Sequence, residues 1–280
     1  MSKKNVLFIG GDSRQLYCAK NLLDEGYEIS IYGFDKYEDI NSLFMNFKVL
    51  KIAIILADAI VLPTPFLHND YLYMPFCEEK IKPSEILKHI DNTKIVFGSS
   101  FGDDFRKKLK DKGIRYVDFL EDESLAVLNA ELTAEGAVNI ICNSLKRSVS
   151  DNKILVLGFG RISKNITRIL SAFRCKTTVG ARKKSDLTWA KLFGTQAKEI
   201  KHINYSNYDI VINTVPAPLL SVSLIEENKS VLFLDLAPSF SCLCENYICA
   251  TALPGKYAPE SAGKNLADVV KYNLEGKNNE

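Results

Sequence analysis

Short apolar runs of β period alternate along this chain with stretches in which apolar residues recur every three or four positions. "NVLFIGG" at 5–11 reads as a strand entering a glycine turn. "SRQLYCAKNLLDEG" at 13–26 places Leu16, Ala19, Leu22 and Leu23 on one helical face and stops at Gly26. Further strands are expected at "YEISIYGF" (27–34), "ADAIVLP" (57–63), "KIVFGSS" (94–100) and "IRYVDF" (114–119). A short helix at 101–113, with a heavily charged outer face, ends at Gly113. A long helical stretch, about 121–146, follows. After "SVSDN" the alternation resumes, with "KILVLGFG" as a strand, a helix from 161, "KTTVGAR" as a strand and "SDLTWAKLFG" as a helix. "YDIVINTVP" and "SVLFLDLAP" read as strands, "YICATALPG" as another, and "SAGKNLADVVKYNLEG" as a closing helix.

This β-α-β order implies an α/β protein with two doubly wound parallel sheets, two Rossmann-like domains joined by a long helix. The expected division is 1–122 for a flavodoxin- or Rossmann-like substrate domain, 123–150 for the linking helix, and 151–280 for a nucleotide domain that includes the closing helix.

Composition narrows the function classes. The 280 residues are 46% hydrophobic with a formal charge of +2, so no global field draws nucleic acid or an anionic membrane. The longest apolar run, "IAIILADAIVLP", is broken by Asp58 and is too short to span a bilayer, and the start shows no secretory leader. Seven scattered cysteines without a C-x-x-C suit reduced thiols in a cytosolic protein. "CLC" at 242–244 is at most half a metal site, since no His follows His202, and no metal is expected.

The chemistry sits in the glycine turns. In "VLGFGRIS", Gly158 permits the tight turn and Gly160 lets backbone approach a pyrophosphate, while Arg161 and Ile162 open a helix whose free N–H groups face that anion. Ser163 stands where a third glycine would allow close packing. The next strand ends in Arg182, Lys183 and Lys184 rather than an acid. An acid there would accept from the ribose 2′-OH of NAD, whereas cations pair with the 2′-phosphate of NADP, so NADP is expected over NAD. A solvated basic loop is the plain alternative. Asn213, Thr214 and Pro216 in "INTVP", with Asp235 in "LDLAP", end strands on the same edge and either line the nicotinamide ribose or form ordinary turns. In the first turn, "GGDSRQL", Asp12 either caps the helix or joins Ser13 and Gln15 in lining a carboxylate site, with Arg14 as the carboxylate partner.

"GGDSRQL" (10–16), "LTAEGAV" (132–138), "VLGFGRIS" (156–163), "VGAR" (179–182), "INTVP" (212–216), "LDLA" (234–237) and "LPGKYAPESAG" (253–263) occur in this order. Together they resemble the A subunit of dipicolinate synthase from endospore-forming bacteria, over nearly the whole chain. The resemblance implies an N-terminal domain peculiar to that family and a C-terminal NAD(P)-binding domain, in an architecture similar to formate/glycerate dehydrogenases. It implies that 4-hydroxy-tetrahydrodipicolinate loses water and two electrons to become dipicolinate, with NADP taking the hydride. It also implies that the partner is a flavoprotein-like B subunit and that the chain works in the mother-cell cytoplasm during sporulation; from its exposed helices a homo-oligomer is expected. Ser163, and "PSFSC" where the family shows a glycine-rich turn, are departures.

For a small dicarboxylate substrate, Arg14 and Lys256 are the candidate cations, Ser99, Ser100 and Thr133 the polar lining, and Glu135 the candidate base. A 2-hydroxyacid dehydrogenase fails on inventory, because it needs a late His and Arg and this chain has no arginine after Arg182 and no histidine after His202. A non-catalytic NADPH-binding scaffold or redox sensor remains the alternative.

Overall fold

A computed structural model describes residues 4–37, 43–240 and 242–276. In chain order the elements are β1 (Asn5–Ile9), α1 (Ser13–Asp24), β2 (Glu28–Tyr32), β3 (Met45–Asn46), α2 (Leu50–Leu56), β4 (Ala59–Val61), a small hairpin of β5 (Leu67–His68) and β6 (Tyr71–Leu72), and α3 (Pro83–Leu87). Next come β7 (Ile95–Gly98), α4 (Asp103–Asp111), β8 (Arg115–Asp118), α5 (Glu123–Ser144), β9 (Lys153–Leu157), α6 (Arg161–Ala172), β10 (Lys176–Ala181), α7 (Lys184–Leu192) and β11 (Gln196–Glu199). The chain ends with β12 (Ile210–Asn213), α8 (Val222–Glu227), β13 (Leu232–Asp235), β14 (Tyr247–Cys249), α9 (Leu253–Tyr257) and α10 (Pro259–Leu274).

The chain forms two compact units, Met1–Ala126 with Pro259–Glu280, and Val127–Ala258. The first holds a sheet in the order β3-β2-β1-β4-β7-β8, the second a sheet in the order β11-β10-β9-β12-β13-β14, every pairing parallel. Within each unit this is the 3-2-1-4-5-6 order of a doubly wound nucleotide-binding sheet, and the order reverses beside the first strand.

A parallel sheet is covered on both faces, so its inner strands are apolar at every position rather than at alternate ones. In β1, Val6 and Phe8 enter one core and Leu7 and Ile9 the other. In β9, Ile154 and Val156 face the core that holds Ala134, Ala137 and Ile141 of α5, while Leu155 and Leu157 face Tyr208, Ile225 and Phe233.

Two expectations are corrected. The closing helix does not belong with the nucleotide unit. α10 packs along α1, burying Ala262, Leu266, Ala267 and Val270. A Cβ at Gly263 would lie 2.5 Å from Tyr17 Cβ and 2.7 Å from the Arg14 carbonyl, so the close crossing requires glycine. Lys271 pairs with Glu25 at 2.5 Å and Lys4 Nζ donates to the Leu274 carbonyl at 2.6 Å. The boundary within 151–280 therefore falls at Pro259. The second correction is "YICATALPG", where the strand stops at Cys249 and Leu253–Tyr257 is a helical turn with proline in its first turn.

Candidate functional site

The order of the second sheet reverses between β9 and β12, and the chain leaves both strands there on the carboxyl side. Gly158 sits at φ +93°, and a Cβ on it would lie 2.7 Å from Val215 Cγ2 and 2.9 Å from Thr214 Oγ1. Its N–H donates to the Gly180 carbonyl at 2.8 Å. Thr214 closes the other side: its N–H and hydroxyl both donate to the Leu157 carbonyl, at 3.2 and 2.8 Å. Ser163 is fully buried in the third fingerprint position, its Oγ 2.6 Å from Thr214 Oγ1. The serine that breaks the glycine pattern is thus bonded into the turn instead of crowding it.

Gly160 differs from Gly158. Its φ of −83° suits any residue, and a Cβ there would meet no atom within 4 Å. It is the N-cap of α6, and no side chain caps that helix. A helix start carries unsatisfied N–H groups and about half a positive charge. Gly160 is exposed there and the first turn of α6 carries no acidic residue, which fits the pyrophosphate of a dinucleotide.

Past β10, Arg182, Lys183 and Lys184 are exposed. β11 runs beside β10 with Glu199 opposite Ala181. Glu199 is paired with Lys201 at 2.8 Å, and its carboxyl is held below the usual range by that hydrogen bond and by the charges of Lys201, His202 and Lys184. Lys201 and His202 thereby join the basic end of the sheet. Linear reading missed them because they lie about twenty residues beyond Arg182; only the β10–β11 register brings them near.

Of the two roles left open for Asn213 and Asp235, their hydrogen bonds are those of residues that hold turns. Both are buried, at 2% and 1% exposure. Asn213 Nδ2 donates to Asp235 Oδ1 at 2.8 Å, and Asn213 Oδ1 accepts from the Val215 N–H at 3.0 Å. Asp235 also accepts from the Tyr247 hydroxyl at 3.0 Å and the Ala237 N–H at 3.1 Å. Burial, and then the bond to Asp235, push the Tyr247 phenol up from its ordinary range. These side chains hold the turns that follow β12 and β13; Pro216 is exposed on the first of them.

The first glycine turn has the same topology and a different chemistry. Gly10 N–H donates to the Tyr32 carbonyl and Gly11 N–H to the Tyr73 carbonyl, both at 2.8 Å. Asp12 caps α1, accepting from Arg14 N–H at 3.0 Å, while Gln15 Oε1 accepts from Asp12 N–H at 3.0 Å. The Arg14 guanidinium grips Asp12 through Nε and Nη2, at 3.0 and 2.8 Å, and Nη2 also donates to the Thr64 carbonyl. Three of its five donor hydrogens are used, which leaves Nη1. Gln15 is fully buried and its Nε2 has no partner among the described residues; Ser13 opens α1, half-buried. With its N–H groups spent and its helix neutralised by Asp12, this turn does not offer a second pyrophosphate cradle.

The remaining candidates divide between the units. Ser99 is buried and Ser100 exposed, and their turn is organised by Asp118, which accepts from Ser100 N–H at 3.0 Å, Phe101 N–H at 2.9 Å and Arg106 Nη2 at 2.6 Å. Asp118 escaped sequence reading because it looks like any strand-end acid. In the second unit, Thr133 donates to the Asn129 carbonyl of its own helix at 2.7 Å. Glu135 precedes Gly136, whose absent Cβ lets α5 touch Leu253 and Tyr257 of α9, the element that carries the exposed Lys256. Glu135 and Lys256 thus stand on neighbouring elements, with no ion pair between them. Arg14, Asp12, Ser13, Gln15, Ser99 and Ser100 belong to the first unit. Cys242 and Cys244 are free thiols, and the hydrogen bond to Cys242 pushes Cys244 up to about 11.

Residues 5–120 match the family of N-terminal domains of the dipicolinate synthase A subunit. The A subunit of dipicolinate synthase from Bacillus subtilis (strain 168) is 26% identical, covering 95% of this chain and 94% of its own length. The crystal structure of the A subunit of dipicolinate synthase from Bacillus halodurans superposes with a TM-score of 0.82 at 26% identity, covering 97% of each chain. D-lactate dehydrogenase from Escherichia coli shares the fold alone, with a TM-score of 0.64 at 13% identity, 98% of each chain being covered. The resemblance read from the motifs holds along the whole chain, and the fold is one that dehydrogenases use.

Proposed function

We propose that this chain, which resembles the A subunit of dipicolinate synthase from end to end, is an NADP-dependent oxidoreductase that forms dipicolinate from 4-hydroxy-tetrahydrodipicolinate. The observation that carries this reading is the uncapped start of α6 at Gly160, open to solvent beside the reversal of sheet order. Gly158, Gly160 and the first N–H groups of α6, from Arg161 and Ile162 onward, would hold the pyrophosphate. Arg182 and Lys183, helped by Lys184 and Lys201, would take the 2′-phosphate, and Glu199, occupied by Lys201, does not oppose it. Ser163, Thr214 and the Asn213–Asp235 pair keep the turns in place.

When bound, the nicotinamide accepts a hydride; with one water and one proton leaving, the substrate ring becomes aromatic. The protein's own work is then orientation and one proton transfer. Lys256 and the free side of Arg14 are the candidate cations for a carboxylate, Ser99, Ser100 and Thr133 the candidate polar groups, and Glu135 the candidate base. A flavoprotein-like B subunit would be the partner, in the mother cell of a sporulating bacterium.

The test is product formation. Aspartate semialdehyde and pyruvate, passed through the lysine-pathway synthase, supply the substrate, and dipicolinate is read by terbium luminescence with NADP+ or NAD+, with and without the B subunit. Product with NADP+ in preference to NAD+ supports the reading. NADPH binding without product in any combination would replace it with the sensor reading.

A further inference from the structure

The second unit has a cavity of about 400 Å3 away from the proposed cofactor turn, lined by Lys153, Lys176, Lys198, Thr178, Gln196 and Tyr208 among others. Its position follows from the register. Lys176 lies directly across from Lys153, Thr178 across from Gln196, and Gly180 across from Lys198. Because side chains alternate along a strand, Lys153, Lys176, Thr178, Gln196 and Lys198 all stand on one face of β9, β10 and β11. Lys153 and Lys176 open their strands, whereas Gly158 follows the far end of β9.

Three features point to an anion. Like charges directly opposed across neighbouring strands destabilise a sheet, yet the fold places Lys153 and Lys176 as direct partners. Among the described residues none of the three lysines makes an ion pair. The nearby acid, Asp209, accepts from the Lys153 backbone N–H at 2.8 Å and pairs with Arg147 at 2.6 Å. Tyr208 is more than nine-tenths buried, its hydroxyl has no hydrogen-bond partner among the described residues, and Lys198 Nζ stands 5.9 Å from its ring centroid. The buried Thr178, with Gln196, adds polar groups between the charges.

We propose that this cavity is a binding site for a small polyanion, a phosphoryl compound or a polycarboxylate, separate from the dinucleotide site. The lysines supply the charge, and Thr178, Gln196 and Asn207 supply neutral hydrogen-bonding groups. A site of this volume admits a small metabolite, and a ligand there would stabilise the sheet edge that also carries the basic loop after β10.

The full chain, 15N-labelled, is titrated with pyrophosphate in one arm and citrate in another at constant ionic strength, and amide shifts are followed residue by residue. Saturable shifts at Lys176–Thr178, Gln196–Lys198 and Asn207–Tyr208 in either arm, with or without separate shifts at Phe159–Ser163, support the site, and the arm that saturates these residues at lower concentration names the source. Shifts confined to Phe159–Ser163, or no saturable shift in either arm, overturn it. The double variant Lys176→Gln/Lys198→Gln should weaken the anion at least tenfold while NADPH affinity stays within twofold; wild-type anion affinity in that variant would also overturn the proposal. All three lysines are exposed, so the variant is expected to fold.

Discussion

Gly158 and Gly160 are two residues apart in one turn, and substituting each with alanine should break different things. At Gly158 the backbone is left-handed, which costs about 1–2 kcal/mol for an L side chain. The new methyl would also lie 2.7 Å from Val215 and 2.9 Å from Thr214, an overpacking that typically costs ~1–3 kcal/mol. Gly158→Ala should therefore lose about 2–5 kcal/mol and lower the melting temperature by roughly 5–15 °C. At Gly160 the backbone tolerates alanine and the methyl meets nothing. Gly160→Ala should melt within a degree or two of the wild type. Its methyl would instead occupy the approach to the α6 N–H groups, so NADPH affinity should fall tenfold or more, about 1.4 kcal/mol. The assay is thermal unfolding by circular dichroism beside titration of NADPH fluorescence on the same preparations. A Gly160→Ala protein that binds NADPH as the wild type does would refute the placement of the pyrophosphate. A Gly158→Ala protein that melts unchanged would refute the packing argument.

Other outcomes are expected from neighbouring parts of the unit. Thr214→Val removes the partner of the buried Ser163 hydroxyl and a donor to Leu157, and should cost about 1–3 kcal/mol of stability, read by urea denaturation; a cost below ~0.5 kcal/mol would contradict the network. Arg182→Ala with Lys183→Ala should weaken NADPH about tenfold and leave NADH unchanged, with the NADPH-to-NADH ratio falling in wild type as salt rises; equal losses for both cofactors would remove the 2′-phosphate assignment. Asp209 is pushed up by burial but held below its ordinary value of 3.8 overall, because the Lys153 N–H and the Arg147 guanidinium outweigh that burial. A depressed carboxyl pKa contributes stability above about pH 4 that disappears as pH falls through the folded value. Asp209→Asn should accordingly cost up to about 1 kcal/mol at pH 7, solvent screening limiting the pair, and progressively less as pH falls through the folded value; a difference that stays constant between pH 7 and the acid limb would refute the linkage.

Most of the sheet was legible because its strands are buried on both faces. "NVLFI" and "KILVL" are continuous apolar runs beside glycine turns, and no other element gives that pattern. The unread elements are the ones that lack it. β3 has two residues, β11 reads "QAKE" with its first and third positions exposed on a sheet edge, and α8 and α9 are shorter than two helical turns. α10 was legible as a helix and misplaced as a neighbour, since amphipathic period reports that a face is buried and not what buries it. Only the Gly263–Tyr17 contact decides that, and sequence adjacency pointed elsewhere. The same limit applied to the site. Gly158 and Gly160 were readable from spacing, whereas the Ser163–Thr214 bond joins residues 51 apart and the proximity of Lys201 depends on strand register. Asn213 and Asp235 lay at the expected strand ends, but their direction, inward toward each other, is a packing outcome.

The two units share one strand order, and the contrast between their first turns explains how one topology can serve two purposes. A helix N-terminus attracts whatever anion reaches it first. In α1 that anion is built in: the Asp12 carboxylate caps the helix and then recruits Arg14, so charge and donors are satisfied within the protein. The glycines before it are spent likewise on the Tyr32 and Tyr73 carbonyls, with Met74 and Gln15 filling the space a ligand would need. In α6 the same positions carry Gly160 and no capping side chain, so the helix start is left for a diffusible anion. One residue type at the N-cap thus separates a closed turn from an open one, and it is why the nucleotide is proposed for the second unit. What the first turn keeps available is narrower, the two Nη1 hydrogens of Arg14, held by Asp12 and Thr64 in a fixed direction. A guanidinium fixed in this way is suited to a carboxylate that arrives in one orientation, which is what the proposed ring oxidation requires of its substrate.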